Sequence, residues 1–190
     1  MKKAYIIHGW GGFPEEGWFP WLRKELESKG FKVFVPKMPK ADEPKIEEWV
    51  GFLKRYIKNP DKETYLIGHS IGCQTIMRYM EILPKTIKIR NVIFVAGWFN
   101  LTKKVTENLE ESKIANPWLK TPIDFEKVKM HSNKFIAIFS DDDPFVPLTD
   151  SKIFKGKLNA KIIILKNKGH LGGEHNINEL PKVLNVILEG

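Results

Sequence analysis

Residues 64–80 read TYLIGHSIGCQTIMRYM: a β-branched and aromatic run, then Gly68-His69-Ser70-Ile71-Gly72, then a helix-competent stretch. A serine hydroxyl is a weak nucleophile unless a base activates it. A sharp turn between a strand and a helix would expose its oxygen at the head of the helix, where unpaired N–H groups and the helix dipole favour an anion. Glycines two residues to either side suit such a turn, because side chains there would collide with neighbouring backbone. Ser70 is therefore the candidate nucleophile. Cys73, one turn into the helix, reads as a small core residue.

An activated serine needs a base, and the chain has five histidines. His69 lies inside the turn, directed away from the serine oxygen, and reads as a packing or hydrogen-bonding residue. His8 ends the first strand, and His131 falls in an irregular stretch. His170 follows the strand KIIIL through the loop KNKG and stands just beyond the strand's carboxyl end, between Gly169 and Gly172. It is the candidate base. His175, five residues on, is placed at the start of the last helix. The base in turn needs a buried carboxylate to fix its tautomer and stabilise the imidazolium. The stretch FIAIFSDDDPFVP supplies three candidates, Asp141, Asp142 and Asp143, at the end of the preceding strand.

A developing oxyanion wants two backbone N–H donors. Ile71, directly after the nucleophile, supplies one, and Trp10, in the glycine-rich loop HGWGGFPEEGW after the first strand, supplies the other. That loop matches neither a dinucleotide-binding nor a Walker phosphate pattern. Trp98 and Phe99, following the fourth apolar run, are placed at the flank of the substrate pocket together with Trp10.

These residues need a frame, and the chain alternates short apolar runs with amphipathic segments. In order they are AYIIHG, a helix over 15–29, FKVFVP, a helix over 44–58, TYLIG and a helix over 71–81. NVIFVAG, FIAIFS, a short helix after Pro147, KIIIL and a last helix over about 178–188 follow. Continuous apolar strands separated by helices predict a parallel sheet buried on both faces: an α/β protein, a three-layer α/β/α sandwich with about six strands. Gly30 stands where a helix C-cap belongs, and Pro44 where a first-turn proline belongs. The long departure from alternation, residues 98–132, is either a lid or pocket wall over the strand ends or an ordinary crossover helix with loose ends.

At 190 residues, 42% of them hydrophobic with twelve Phe and six Trp, the chain is expected to form one domain over 1–190. The formal charge of +8 raises the question of nucleic acid. The lysines are scattered, without a basic helix, zinc module or base-stacking signature, so no nucleic-acid partner is expected. The apolar run after Lys2 and Lys3 stops at His8, too short for a signal peptide, and no span is long enough for a bilayer. Cys73 is the only cysteine. A cytoplasmic protein with no membrane partner, no metal and no cofactor is expected.

Taken together, the first-strand glycine loop followed by GWFPWLRKELESKGF, the Met-Pro after the second strand, LIGHSIG, MRYME, SDDDPFVP and the late Gly-His resemble one family. It is that of the small single-domain serine hydrolases of the α/β-hydrolase superfamily related to retinoblastoma-binding protein nine and the bacterial YdeN proteins. The order Ser70, an Asp, His170 is the chain order of that superfamily. The resemblance implies a cut-down α/β-hydrolase lacking the first two strands of larger members, with Ser70, Asp143 and His170 as its triad. It also implies activity on small esters or amides. Pro144 favours the same acid, because a proline forces the preceding residue into an extended conformation and gives Asp143 a direction its neighbours do not share. Asp142 is the alternative if the loop shifts by one residue. The expected function is a carboxylesterase working through an acyl-enzyme. An amidase or acyltransferase on the same scaffold, or a protein-interaction module with vestigial catalysis, are the alternatives.

Overall fold

A computed structural model describes residues 1–189. Its strands are β1 (Lys3–Ile7), β2 (Lys32–Phe34), β3 (Thr64–His69), β4 (Asn91–Val95), β5 (Phe135–Ser140) and β6 (Lys161–Leu165). Its helices are α1 (Phe19–Ser28), α2 (Ile46–Tyr56), α3 (Ile71–Glu81), α4 (Lys103–Thr106), α5 (Leu109–Lys120), α6 (Phe125–Met130), α7 (Asp150–Leu158) and α8 (Pro181–Leu188). The strands form one six-stranded, all-parallel sheet in the order β2-β1-β3-β4-β5-β6.

Alternate residues of each central strand feed two separate cores. Tyr5, Ile7, Leu66 and Phe94 meet α2, α3, α6 and α7 on one face. Ala4, Ile6, Tyr65, Ile67 and Ile93 meet α1 and α8 on the other. This gives the three layers, and it explains why β3 reads as an unbroken apolar run: both of its faces are dry. The chain leaves β1 toward the α1 face and leaves β3 toward the α3 face. The loops at the carboxyl ends of β1 and β3 therefore diverge, and an open α/β sheet has its ligand crevice at that divergence.

Three helix boundaries differ from the sequence expectation, each for a local reason. The first helix begins at Phe19, with Pro20 in its first turn, because residues 13–17 close turns of their own. Pro44 lies outside α2: Lys45 is its extended N-cap. The last helix starts at Pro181, and His175 sits in a short 3-10 turn, Gly173–His175, instead of opening that helix. Gly30 follows the C-cap of α1 with φ of 80°, as expected of it.

Residues 98–132 fold as α4, α5 and α6 with connecting turns; they leave the carboxyl end of β4, pack α6 on α3 and return to the amino end of β4, where Ile89 N–H donates to the His131 carbonyl.

Candidate active site

Ser70 joins β3 to α3 with φ 53° and ψ −124°, a conformation that costs a non-glycine residue about 1–3 kcal/mol. The turn is held by Ser70 N–H donating to the Val95 carbonyl at 2.9 Å and by Cys73 N–H donating back to the Ser70 carbonyl at 3.0 Å. The flanking glycines are required by space. A Cβ at Gly68 would lie 2.8 Å from the Cys73 nitrogen, and one at Gly72 would lie 2.7 Å from the His8 carbonyl oxygen. The serine side chain opens into a cavity of about 370 Å³, a size suited to a small ligand.

His170 lines the same cavity. Its Nδ1 lies 2.8 Å from Asp143 Oδ2, both side chains being almost wholly buried. The neutral ring donates through Nδ1–H to the carboxylate, which leaves the Nε2 lone pair free for a proton. Asp143 Oδ1 accepts the N–H groups of Phe145 and Val146 at 2.9 and 3.0 Å. Pro144 has no N–H to offer, so the carboxylate reaches past it. Among the described residues Ser70 Oγ makes no hydrogen bond; serine and imidazole meet only in sharing the cavity.

The other two acids of the triplet hold the loop that carries the histidine. Asp142 accepts from Ser140 Oγ, Lys168 N–H and Gly169 N–H, and these bonds, the Ser140 hydroxyl foremost, hold its carboxyl below the usual range. Asp141 accepts from Asn167 N–H at 2.9 Å. Three adjacent carboxylates are thus used within one turn, and two of them face solvent.

On the opposite rim the Gly9 carbonyl accepts from His8 Nδ1–H at 2.8 Å and from Gly12 N–H at 3.2 Å. His8 is buried and neutral, its pKa lowered by desolvation, with Nε2 accepting from Met38 N–H. Since the peptide is trans, the Trp10 N–H of the same unit points away from those two donors. Among the described residues neither Trp10 N–H nor Ile71 N–H has a hydrogen-bond acceptor. The Trp10 indole is anchored separately, by Nε1–H donating to the Asp42 carbonyl.

Of the two residues placed at the pocket flank, Trp98 lines the cavity and Phe99 does not. The Phe99 ring packs on Phe125 and Phe154, and its N–H is taken by the buried Asp150 carboxylate. Asp150, which sequence reasoning missed, also accepts from Asn100 N–H and Nδ2–H, and so turns the chain away just after Trp98. The 98–132 segment contributes Leu101, Val105 and Glu111 to the lining, Phe145 completes the apolar side, and Glu16 and Glu174 stand on the histidine side. Burial, reinforced by Glu174, raises the Glu16 pKa. His131 is remote, donating to the Ile87 carbonyl. Burial also pushes the Cys73 thiol far above its ordinary range, so it carries no thiolate to attack with. Among the described residues no His, Cys, Asp and Glu group is arranged to hold a metal ion. No helix among them is long and apolar enough to cross a membrane.

This arrangement has close counterparts. The chain is 28% identical over 186 residues to YdeN of Bacillus subtilis, covering 98% of this chain and 94% of YdeN. It is 30% identical over 190 residues to Serine hydrolase RBBP9 of Rattus norvegicus, covering 98% and 95%. The crystal structure of the B. subtilis ydeN gene product superposes with a TM-score of 0.91 over 100% of this chain and 98% of that one. Est1E from Butyrivibrio proteoclasticus, solved with ferulic acid bound, shares the fold at a TM-score of 0.76 and 17% identity, over 100% and 89% of the two chains. The family model described as serine hydrolase matches residues 4–189, from the first strand through the last helix, and the chain belongs to that family.

Proposed function

We propose that the protein hydrolyses small carboxylic esters through an acyl-enzyme on Ser70. His170 takes the serine proton through Nε2 as the hydroxyl attacks the ester carbonyl, and returns it to the leaving alcohol. Asp143 fixes the ring as its Nδ1–H tautomer and stabilises the imidazolium. The N–H groups of Trp10 and Ile71 receive the tetrahedral oxyanion. Water, deprotonated by the same imidazole, then releases the acid and frees Ser70.

The observation that carries this reading is the Asp143–His170 bond, itself anchored by two backbone N–H groups, opening on the same cavity as a serine held at positive φ. A serine that only shaped a turn would have no need of a buried, oriented imidazole beside it. The cavity is small and its acyl side is built of Trp98, Leu101, Val105 and Phe145, so short, uncharged acyl groups fit best. Its lining contains no lysine or arginine, and carboxylate-bearing esters should be poor substrates.

Labelling with a fluorophosphonate followed by a screen of aryl esters tests the proposal. Ser70 should be the modified residue, Ser70→Ala should remain folded and unlabelled, and acetyl or butyryl esters should outrun long-chain ones. Labelling of Ser70→Ala at the parental level would overturn the assignment.

A further inference from the structure

His69 is buried beside the candidate triad, and its surroundings fix what it can do. Its Nε2 lies 2.9 Å from the His170 carbonyl oxygen. A carbonyl only accepts, so the ring carries its proton on Nε2, and Nδ1 holds a bare lone pair. That Nδ1 is buried with no partner. Gly9 covers it: a Cβ at Gly9 would stand 3.1 Å from Nδ1 and 3.2 Å from Ser70 Cβ. The ring is wedged edge-on against Trp18 and Phe19 and lies tilted over His170 at 5.0 Å between centroids.

The same loop is gripped again one residue later. Trp18 Nε1–H donates to the Leu171 carbonyl at 2.8 Å, and Leu171 has φ of 55°. Two ring N–H donors thus hold two successive carbonyls. His170 N–H is taken by His175 Nδ1 at 3.3 Å. The backbone beneath the candidate base is therefore fixed on three sides, and the residue that does most to join it to the nucleophile's own strand is His69.

We infer that His69 is a positioning residue: its Nε2–H tether to the His170 carbonyl sets the base against Ser70, and its partnerless Nδ1 keeps it out of the proton transfer. The inference rests on the hydrolase reading above. Two imidazoles so close could share a proton and blur the direction of transfer. Here one of them cannot accept it, since a proton on Nδ1 would find no acceptor under Gly9. The charged groups around the ring agree. Burial first and then His170 lower the His69 pKa to about 4, against the opposing pull of the bond to the His170 carbonyl and of Glu174 and Asp143. Glu16, which lines the same cavity as His170, interacts electrostatically with that residue.

The test compares His69→Phe, which keeps a ring without a donor, and His69→Gln, which keeps a donor. In His69→Phe, kcat for an aryl acetate should fall by about 10- to 100-fold with KM nearly unchanged, because small errors in base placement are amplified in the rate. His69→Gln should recover much of the loss. Long-range proton–nitrogen spectra of the parental imidazoles provide a readout independent of turnover and of how the variants fold. They should show His69 as the neutral Nε2–H tautomer at pH 5. Parental kcat in His69→Phe, or a His69 ring that is charged at pH 5 or carries its proton on Nδ1, would overturn the inference. Absence of fluorophosphonate labelling in the parent would instead count against the triad itself, so the two failures are distinguishable.

Discussion

The loop that carries His170, the floor of the site, and the α4–α6 segment that lends Leu101, Val105 and Glu111 to the cavity lining, its wall, are fastened by opposite means. On the floor, carboxylates collect backbone N–H groups: Asp141, Asp142 and Asp143 together hold Asn167, Lys168, Gly169, Phe145 and Val146. On the wall, a cation collects carbonyls. Arg78 of α3, buried and without a carboxylate partner within salt-bridge distance among the described residues, donates to the Trp118, Thr121 and Pro122 carbonyls and to Gln74 Oε1. The carbonyls of Trp118 and Thr121 belong to the end of α5, whose last turn has no internal donors and carries the negative end of the helix dipole. Gln74, one turn before Arg78, donates to the Trp98 carbonyl. The floor spreads its hold over several anions, whereas at the end of α5 the wall gathers four acceptors on one guanidinium. On the proposed function, turnover depends on the floor and substrate binding on the wall, so the two should respond to different substitutions.

The largest expected effect separates the acids of the floor. Asp143→Asn should lower kcat by about 10³–10⁴-fold, since the ring would lose its tautomer and its counter-charge. Asp142→Asn should cost far less turnover, because Lys168 and Gly169 can still bond to the amide oxygen and Asp141 still holds Asn167. Turnover and thermal unfolding of the two variants check this. A crippled Asp142→Asn beside a near-parental Asp143→Asn would reverse the roles assigned here.

Acid should loosen the floor before the wall. The lowered His69 pKa means that the unfolded chain binds a proton the folded one refuses. That stability is fully present above about pH 6.5 and lost as pH falls toward about 4. Asp142 acts on the far side of that window: its depressed pKa stabilises the fold above the ordinary carboxylate range and fails as pH drops through the lowered value. Arg78 gains nothing from acid, being already charged. Hydrogen exchange at pH 7 and pH 4.5 should show residues 167–171 losing protection ahead of residues 118–122. Equal loss in both would remove the distinction.

The smallest effect concerns the wall. Arg78→Met leaves three carbonyls short of a donor and should cost on the order of 2 kcal/mol in stability. It should raise KM several-fold with kcat little changed, the pattern of lost ground-state binding. A fall in kcat with KM constant would mean that the wall takes part in the chemistry.

The same contrast governs what the sequence reveals. The elbow is legible because its glycines are spaced about the serine in a recognisable pattern: Gly68 is demanded by the Cys73 backbone three residues past Ser70, and Gly72 by the backbone of Ile7 and His8 at the end of β1. The acid is legible because Pro144 removes an N–H and turns Asp143. The alternation of six apolar runs with helices discloses the sheet, since burial on both faces of the central strands leaves little choice of side chain; the edge strand β6 keeps its apolar residues half exposed. The direction of Phe99 is not legible: it depends on Asp150, 51 residues away, capturing its N–H. Nor is the partner of His69, which lies 101 residues along the chain. Arg78, in MRYME, shows no local sign of burial, yet it is 5% exposed. Such links are made when two loops meet, and no local pattern announces them.

The central claim is that Ser70 is the nucleophile of an acyl-enzyme, and trapping that species tests it most directly. The protein is mixed with an activated acetate ester, quenched in acid within the first turnover, and examined by intact mass and peptide mapping. The expected result is a mass increase of one acetyl group on the peptide containing Ser70, and no such species in Ser70→Ala. An acetyl group on any other residue, or hydrolysis by Ser70→Ala at the parental rate, would contradict it.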